Sequence, residues 1–316
     1  SCGAIDIALG SDTGGSVRQP ASFCGNFGFK PTYGRISRYG LTAFASSLDQ
    51  IGIFANNILD ISDMYDTIAG FDSNDSNTSK EKLNNNYKKI NAKNLTIGYI
   101  GDLFNNLDSK SRRVYDDFFS FIKSSGFNLQ LIDFKLLDLC ISTYYIIATA
   151  EASSNLARFD GVKYGERNFD VKSVNKMIEL TRSNNFGPEI KRRIMLGTYV
   201  LSSGYFEAYY NKALKVRRLI KNDLTKQFNK IDILLFPTSP TVAFAQKEKL
   251  NNILEMYLSD IFTIPMSLAG IPSINMPIGR VMDLPIGLQA CSNYFSENKM
   301  FSFTKYIEDN YIKNNY

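Results

Sequence analysis

The run Ser11-Asp12-Thr13-Gly14-Gly15-Ser16 places a hydroxyl directly after two adjacent glycines. Paired glycines let the backbone approach a substrate closely with several N–H groups aimed the same way. One loop can then supply a nucleophile, Ser16, and donors for a developing oxyanion. The same six residues also describe an ordinary turn, and taken alone the turn is the better reading. They are not a phosphate loop, because no Lys-Ser/Thr pair follows at the required spacing. Composition restricts how such a serine could be activated. The 316 residues contain no histidine, which excludes Ser-His-Asp and Cys-His sets, a histidine general base and a histidine-bearing zinc site. Acid–base chemistry must fall to carboxylates, lysine, tyrosine or hydroxyls.

Asp12 and Arg18 flank the loop with opposite charges and are expected to pair and hold its shape, a structural role rather than a catalytic one. Cys24 reads as a small packing residue rather than a second nucleophile. Cys2, Cys24, Cys140 and Cys291 stand far apart with no CxxC pair, which suggests neither a disulfide framework nor a thiolate metal site and fits a reducing compartment. The net charge of +5 is spread in short pairs such as Lys88-Lys89 and Arg217-Arg218, and a solvated surface explains it better than a polyanion site. No run of 18 apolar residues and no secretory leader is found, which removes membrane-spanning and secreted readings. The chain opens on Ser1 and not Met, so an N-terminal fragment is expected.

The elements that must carry the loop follow from periodicity. Ile5 to Leu9 reads as a short buried strand running straight into it. From Phe23 to Asp49 the density of Gly, Phe, Tyr and Ser, with turn signals at Lys30-Pro31-Thr32 and Tyr39-Gly40, predicts irregular, well-packed chain. Asp72 to Lys93 is the most polar stretch, a surface loop or linker and the one segment resembling a boundary. A β-α-β pattern follows: strand Leu95–Ile100, a helix over Ser109–Ser124 with Val114, Phe118, Phe121 and Ile122 at helical spacing, and strand Phe127–Phe134. Parallel pairing of the two strands is expected. A helical block runs from about Glu189 to Lys230, with Ala213, Val216, Ile220 and Leu224 on one face. Strands Ile231–Phe236, Ser273–Ile278 and Pro285–Ala290 and a last amphipathic helix near Lys299–Glu308 complete an α/β layer pattern.

Beyond the six residues, the run from Ala8 through the loop to Arg18-Gln19-Pro20-Ala21-Ser22-Phe23-Cys24-Gly25, then Gly28-Phe29-Lys30-Pro31-Thr32-Tyr33-Gly34-Arg35, closely resembles the amidase signature family. The continuation Ile36–Leu41 and Phe44–Gly52, with Glu151–Gly161, Arg192–Thr198, Ser202-Ser203-Gly204-Tyr205 and Asp260–Pro265, is similar to one branch of it, the glutaminase subunits of the aspartyl/glutamyl-tRNA amidotransferases. The resemblance spans the whole chain. It implies an α/β fold with a mixed central β-sheet covered by helices, N-terminally truncated, with residues 1–316 as a single domain.

The resemblance also implies a function: a glutaminase that forms an acyl-serine intermediate and passes ammonia to partner subunits for amidation of Glu-tRNA(Gln) or Asp-tRNA(Asn). Ser16 takes the position of the acylated serine, and the N–H groups of Thr13, Gly14, Gly15 and Ser16 match the oxyanion hole. Arg193 sits where the family clamps the substrate carboxylate, Asp260 where it holds the ammonium, and Tyr144 where it closes the pocket. Without the resemblance, Arg193 beside Arg192 reads as an exposed helix face, Asp260 as a cap and Tyr144 as core. In this family the base is a lysine acting through a second serine in a cis peptide, and neither is among the 316 residues. Lys30 matches a position with no base role. Gln50 and Asp49 are assigned support only.

The expected partners are glutamine and subunits B and C of the amidotransferase, with tRNA contact mostly indirect and no membrane. No cofactor is expected in this chain, ATP and magnesium belonging to the partner subunit. The expected compartment is a bacterial cytoplasm or an organelle matrix. The competing expectations are a general amidase of the same fold and a catalytically disabled scaffold.

Overall fold

The computed structural model describes residues 2–84, 86–105, 107–167, 169–246 and 253–315. Two compact units are built from interleaved stretches of chain: the first from Ser1–Gly40, Gln50–Ile141 and Arg218–Tyr316, the second from Leu41–Asp49 and Ser142–Arg217. The strands are β1 (Ile7–Asp12), β2 (Phe27–Lys30), β3 (Gln50–Ala55), β4 (Thr96–Tyr99), β5 (Asn128–Leu131), β6 (Ile233–Pro237), β7 (Ser273–Val281) and β8 (Leu284–Ser292). The helices are α1 (Arg18–Cys24), α2 (Ile58–Ile68), α3 (Gly101–Asn105), α4 (Ser109–Ser124), α5 (Leu137–Leu156), α6 (Val174–Asn185), α7 (Pro188–Val200), α8 (Lys212–Gln227), α9 (Ile253–Leu258), α10 (Ile264–Ala269) and α11 (Glu297–Ile307).

The first unit holds one mixed sheet in the order β1-β3-β2-β7-β8-β6-β4-β5. β4 pairs parallel with β5 and β6, and the remaining pairs are antiparallel. The parallel pair β4–β5 is joined through α4, as the β-α-β pattern requires. Asp108 caps α4 by accepting from the N–H groups of Lys110 and Ser111, and Tyr115, Phe118 and Ile122 are its fully buried stripe. β7 and β8 form a hairpin whose two connecting residues, Met282 and Asp283, both have positive φ (49° and 64°). That is the turn hand that matches the twist of the flanking strands.

The two faces of this sheet differ sharply. Side chains alternate along a strand, and Phe27 and Phe29 of β2, Ile274 and Met276 of β7, and Leu288 and Ala290 of β8 all join one apolar core with residues of α2, α4 and α11. Phe29, Tyr65 and Phe301 pack there edge to face, with ring centroids 5.0–5.6 Å apart. The alternate positions are Gly28, Lys30, Ser273, Asn275, Gly287, Gln289 and Cys291, on the face that meets α1. A Cβ on Gly28 would fall on that of Ala21 in α1, and one on Gly287 on the hydroxyl of Ser22. Among these, Lys30, Ser273, Asn275 and Gln289 are buried, so one face of the sheet is hydrocarbon and the other a buried polar layer.

Several boundaries depart from the sequence reading. The first strand covers Ile7–Asp12 rather than Ile5–Leu9, so it carries the chain up to the loop itself. Phe23–Asp49 is not irregular throughout, since it contains the end of α1 and all of β2. The helical block from Glu189 is two helices, α7 and α8, separated by a π-helical turn at Phe206–Asn211. The polar stretch Asp72–Lys93 lies inside the first unit, and the unit borders fall after Gly40, after Asp49, within α5 and within α8 instead. Arginines hold that stretch in place: Arg38 pairs with Asp75 at 3.1 Å, and Arg35 donates to the Glu81 carbonyl at 2.6 Å.

In the second unit, α5 and α7 approach closely, because a Cβ on Gly197 would fall on the Thr149 carbonyl. Ser153 and Thr198 hydroxyls meet there at 3.0 Å. The segment Leu41–Asp49 is held by side chains of α5: Glu151 accepts from Ser47 N–H at 2.9 Å, and Asn155 donates to the Phe44 carbonyl at 3.1 Å.

Candidate active site

β1 ends at Asp12, whose side chain is completely buried. Its carboxylate accepts from the N–H groups of Val17 (3.3 Å) and Arg18 (3.4 Å) and from the Arg18 guanidinium at 3.0 and 2.9 Å. Burial alone would raise the carboxyl's pKa. The Arg18 charge and hydrogen bonds, helped by Lys30, outweigh burial and hold it below the usual carboxylate range. Arg18 in turn donates to Thr263 O at 2.9 Å, Gln289 Oε1 at 3.1 Å and Ser267 Oγ at 2.8 Å. Asp12 therefore draws the start of α1 back toward the end of β1, and residues 13–16 must close the gap as a tight loop. The pairing expected of Asp12 and Arg18 is present.

Gly15 is required at its position for two reasons. Its φ is +147°, where side-chain-bearing residues are strained, and a Cβ there would fall on the Thr263 hydroxyl. Gly14 and Gly15 are buried, Thr13 is half-buried, and Ser16 is exposed at the loop's end. Among the described residues nothing accepts from the backbone N–H groups of Gly14, Gly15 and Ser16. A hydroxyl beside a cluster of undirected N–H donors can attack a carbonyl and hold the negative charge that develops on its oxygen.

Asp260 belongs to the same neighbourhood. Gln19, three residues after Ser16, donates its amide to Asp260 Oδ1 at 2.9 Å and to the Ser259 carbonyl at 2.7 Å, and its own N–H bonds to Gly15 O at 2.8 Å. The Asp260 carbonyl accepts from Thr263 N–H and Ile264 N–H, both at 3.0 Å, so its main chain starts α10 while its half-buried carboxylate is turned to Gln19. The first unit thus gathers Thr13, Gly14, Gly15, Ser16 and Asp260. Gln19, Thr263, Ser267 and Gln289 complete the support, and sequence reasoning assigned none of them a role. A signal did exist for two of them: Gln19 stands one helical turn after Ser16, and Thr263 stands three residues after Asp260.

Tyr144 and Arg193 lie in the second unit, on α5 and α7. Tyr144 is 5% exposed and packs edge to face on Tyr145 with centroids 5.0 Å apart. Arg193 donates to Glu189 Oε1 at 2.7 Å and stands over the Phe44 ring at 5.4 Å. Burial would lower the guanidinium's pKa, but Glu189 outweighs it and raises it, with Tyr144 and Tyr145 as further electrostatic neighbours. Arg192 bonds to the same carboxylate at 2.6 Å, so one glutamate serves both arginines. Asp49 accepts from the N–H groups of Phe44 (2.8 Å) and Ala45 (2.9 Å), and Gln50 accepts from Gly34 N–H at 2.9 Å. Both are backbone supports.

The remaining candidate side chains stand in different surroundings. Burial, and after it the Arg18 charge, lower the Lys30 amine to about 7, and its Nζ donates to Ile271 O at 2.6 Å and Pro31 O at 3.3 Å. Burial pushes the Cys291 thiol up to about 12. Cys24 is exposed, against the packing role expected of it, because it ends α1. Among the described residues no group of three or more Cys, Asp or Glu side chains is placed to hold a metal ion. Among the same residues no helix is long and apolar enough to cross a membrane.

A family model described as Amidase matches residues 1–301. The A subunit of glutamyl-tRNA(Gln) amidotransferase from Clostridium botulinum (strain Kyoto, type A2) is 48% identical over 300 residues, covering 94% of this chain and 62% of that protein. The subunit of the same name from Carboxydothermus hydrogenoformans is 47% identical over 313 residues, covering 98% of this chain and 64% of that one. The solved structure of the same subunit from Thermotoga maritima superposes with a TM-score of 0.79 at 37% identity, over 97% of this chain and 63% of that one. The chain thus spans a little under two thirds of the length of these relatives.

Proposed function

Because this chain belongs to the amidase family, we propose that it hydrolyses glutamine as part of a glutamyl-tRNA(Gln) amidotransferase, with Ser16 as the nucleophile. The observation that carries the reading is the loop: an exposed hydroxyl directly after two buried glycines, one of them wedged against Thr263. In this reading Ser16 Oγ attacks the side-chain amide carbon of glutamine. The oxyanion is received by the N–H groups of Thr13, Gly14, Gly15 and Ser16, and collapse expels ammonia with the proton taken from the serine. Water then cleaves the acyl-serine to give glutamate. By resemblance alone, Asp260 is assigned to the substrate ammonium, Arg193 to its carboxylate and Tyr144 to closing the pocket.

The activating base is assigned, by resemblance, to a lysine acting through a second serine, residues outside this sequence. Ammonia passes to partner subunits, to which the reading also assigns ATP and magnesium. The test is Ser16→Ala in the intact protein. Ammonia release from glutamine should fall by at least about a thousandfold, the order seen when an essential nucleophile is removed. Full activity in that variant defeats the reading.

One observation favours the second reading, a general amidase: Arg193 is already engaged by Glu189. Arg193→Ala decides between them. Glutamine KM rising with little change toward neutral amides supports the glutamine clamp, and equal behaviour toward both supports the general amidase.

A further inference from the structure

Lys30 stands at the end of β2 on the polar face of the sheet and is 2% exposed. A buried amine is unfavourable unless its hydrogen bonds matter, and here they join two distant parts of the chain. The stronger of its bonds goes to Ile271 O at 2.6 Å, 241 residues away. Ile271 follows α10 and its left-handed cap Gly270, φ +74°. Two further contacts fix the same end: Tyr33 N–H donates to Gly270 O at 3.0 Å, and the Tyr294 hydroxyl donates to Ala269 O. The opposite end of α10 begins at Thr263, which occupies the space a Cβ on Gly15 would need. The Thr263 carbonyl accepts from Arg18. With six residues, α10 is a strut of roughly 9 Å, with the nucleophile loop at one end and Lys30 at the other.

We propose that Lys30 is a positioning residue for Ser16: its bond to the Ile271 carbonyl holds α10 in place, so that Thr263 stays wedged against Gly15 and the loop keeps its shape. The role in catalysis rests on reading Ser16 as the nucleophile, whereas the mechanical coupling does not. Lys30 touches no reacting atom, and its hydrogen bond reaches the loop through α10. The charged and titratable groups around it are Arg18 and Asp12 at the loop, Cys291 on β8 and Glu297 on α11. Either protonation state of the amine retains an N–H to donate.

The test is Lys30→Met in the intact protein, which keeps the apolar stem and removes the donor. The kcat for glutamine hydrolysis should fall about tenfold with KM within about twofold, since misplacing a reacting group acts on the chemical step. Amide hydrogen exchange over residues 263–271 should accelerate about tenfold while exchange in α11 is unchanged. Exchange over 263–271 equal to wild type overturns the proposal, and so does an unchanged kcat in an active enzyme. A wild type that releases no ammonia from glutamine defeats the reading of Ser16 and leaves the exchange measurement to decide Lys30. Should the methionine variant fail to fold, Lys30→Gln, whose amide stops one bond short, is measured in the same way, and unchanged exchange or unchanged kcat overturns the proposal there too.

Discussion

The two faces of the central sheet are made by the same strands and do opposite work. On one, Phe27, Phe29, Ile274, Met276, Leu288 and Ala290 pack against α2, α4 and α11 in hydrocarbon. On the other, Asp12, Arg18, Gln289 and Ser267 form a buried network, and buried Lys30 nearby donates to the Ile271 carbonyl. Apolar contacts are non-directional and tolerate small shifts, and they supply most of the stability. A buried ion pair adds little net stability over hydrocarbon of the same volume, but removing one partner is severe. The polar face therefore serves to permit one geometry, and the geometry it permits is that of residues 12–16.

Breaking the polar face from one side should have the largest effect. Arg18→Met leaves the Asp12 carboxylate buried without its cation and should lower stability by about 3–5 kcal/mol in equilibrium denaturation. The double variant Asp12→Val with Arg18→Met should recover much of that stability while activity stays lost. Recovery of both would show that the network does not shape the loop.

The polar face also predicts a pH signature of its own. Lys30 has its amine lowered to about 7 in the folded protein, against 10.5 in the unfolded chain. Between those values the unfolded chain binds more protons, so stability should rise as pH climbs from about 7 toward 10. Lys30→Met should flatten that rise, measured as the unfolding free energy across the range. Asp12 works in the same direction at lower pH: its folded pKa lies below 3.8, so its contribution is present above the unfolded value and is lost as pH falls through the lowered one.

Gly15→Ala should cost about 1–3 kcal/mol, the scale of backbone strain at a disfavoured φ, and it should depress activity more than stability because Thr263 must move. On the apolar face, Ile274→Val should cost only about 0.5–1.5 kcal/mol with catalysis per folded molecule unchanged. A loss of activity there would erase the contrast between the faces.

Legibility of the sequence follows the same division. α4 was readable to the residue, because a strong apolar stripe sits between the cap Asp108 and the left-handed Gly126. α2 went unread although Asn57 caps it by accepting from Asp60 N–H and Ile58, Ile61 and Tyr65 line one side. Its shortness and the Gly-rich chain before it masked the period. β2 and β3 were hidden for a more general reason: a strand whose two faces are apolar and polar but equally buried has few residues that look exposed. In the site, the pairing of Asp12 with Arg18 was legible from six residues of separation. The bonds of Lys30 to Ile271 and Arg18 to Gln289 were not, since their partners lie 241 and 271 residues away and no local pattern records them.

The place of β1 in the sheet has its own consequence. It is an end strand, paired with β3 alone among the described residues, and its residues are half-buried or exposed up to Ser11, after which Asp12 is fully enclosed. Strand ends with one neighbour open most readily, and enclosed residues open last. Thermal motion entering this strand from its outer end meets a buried, hydrogen-bonded ion pair just before the glycines. The segment behaves as a clamp with one fixed jaw: open to solvent over most of its length, and pinned at Asp12, four residues before the hydroxyl it presents.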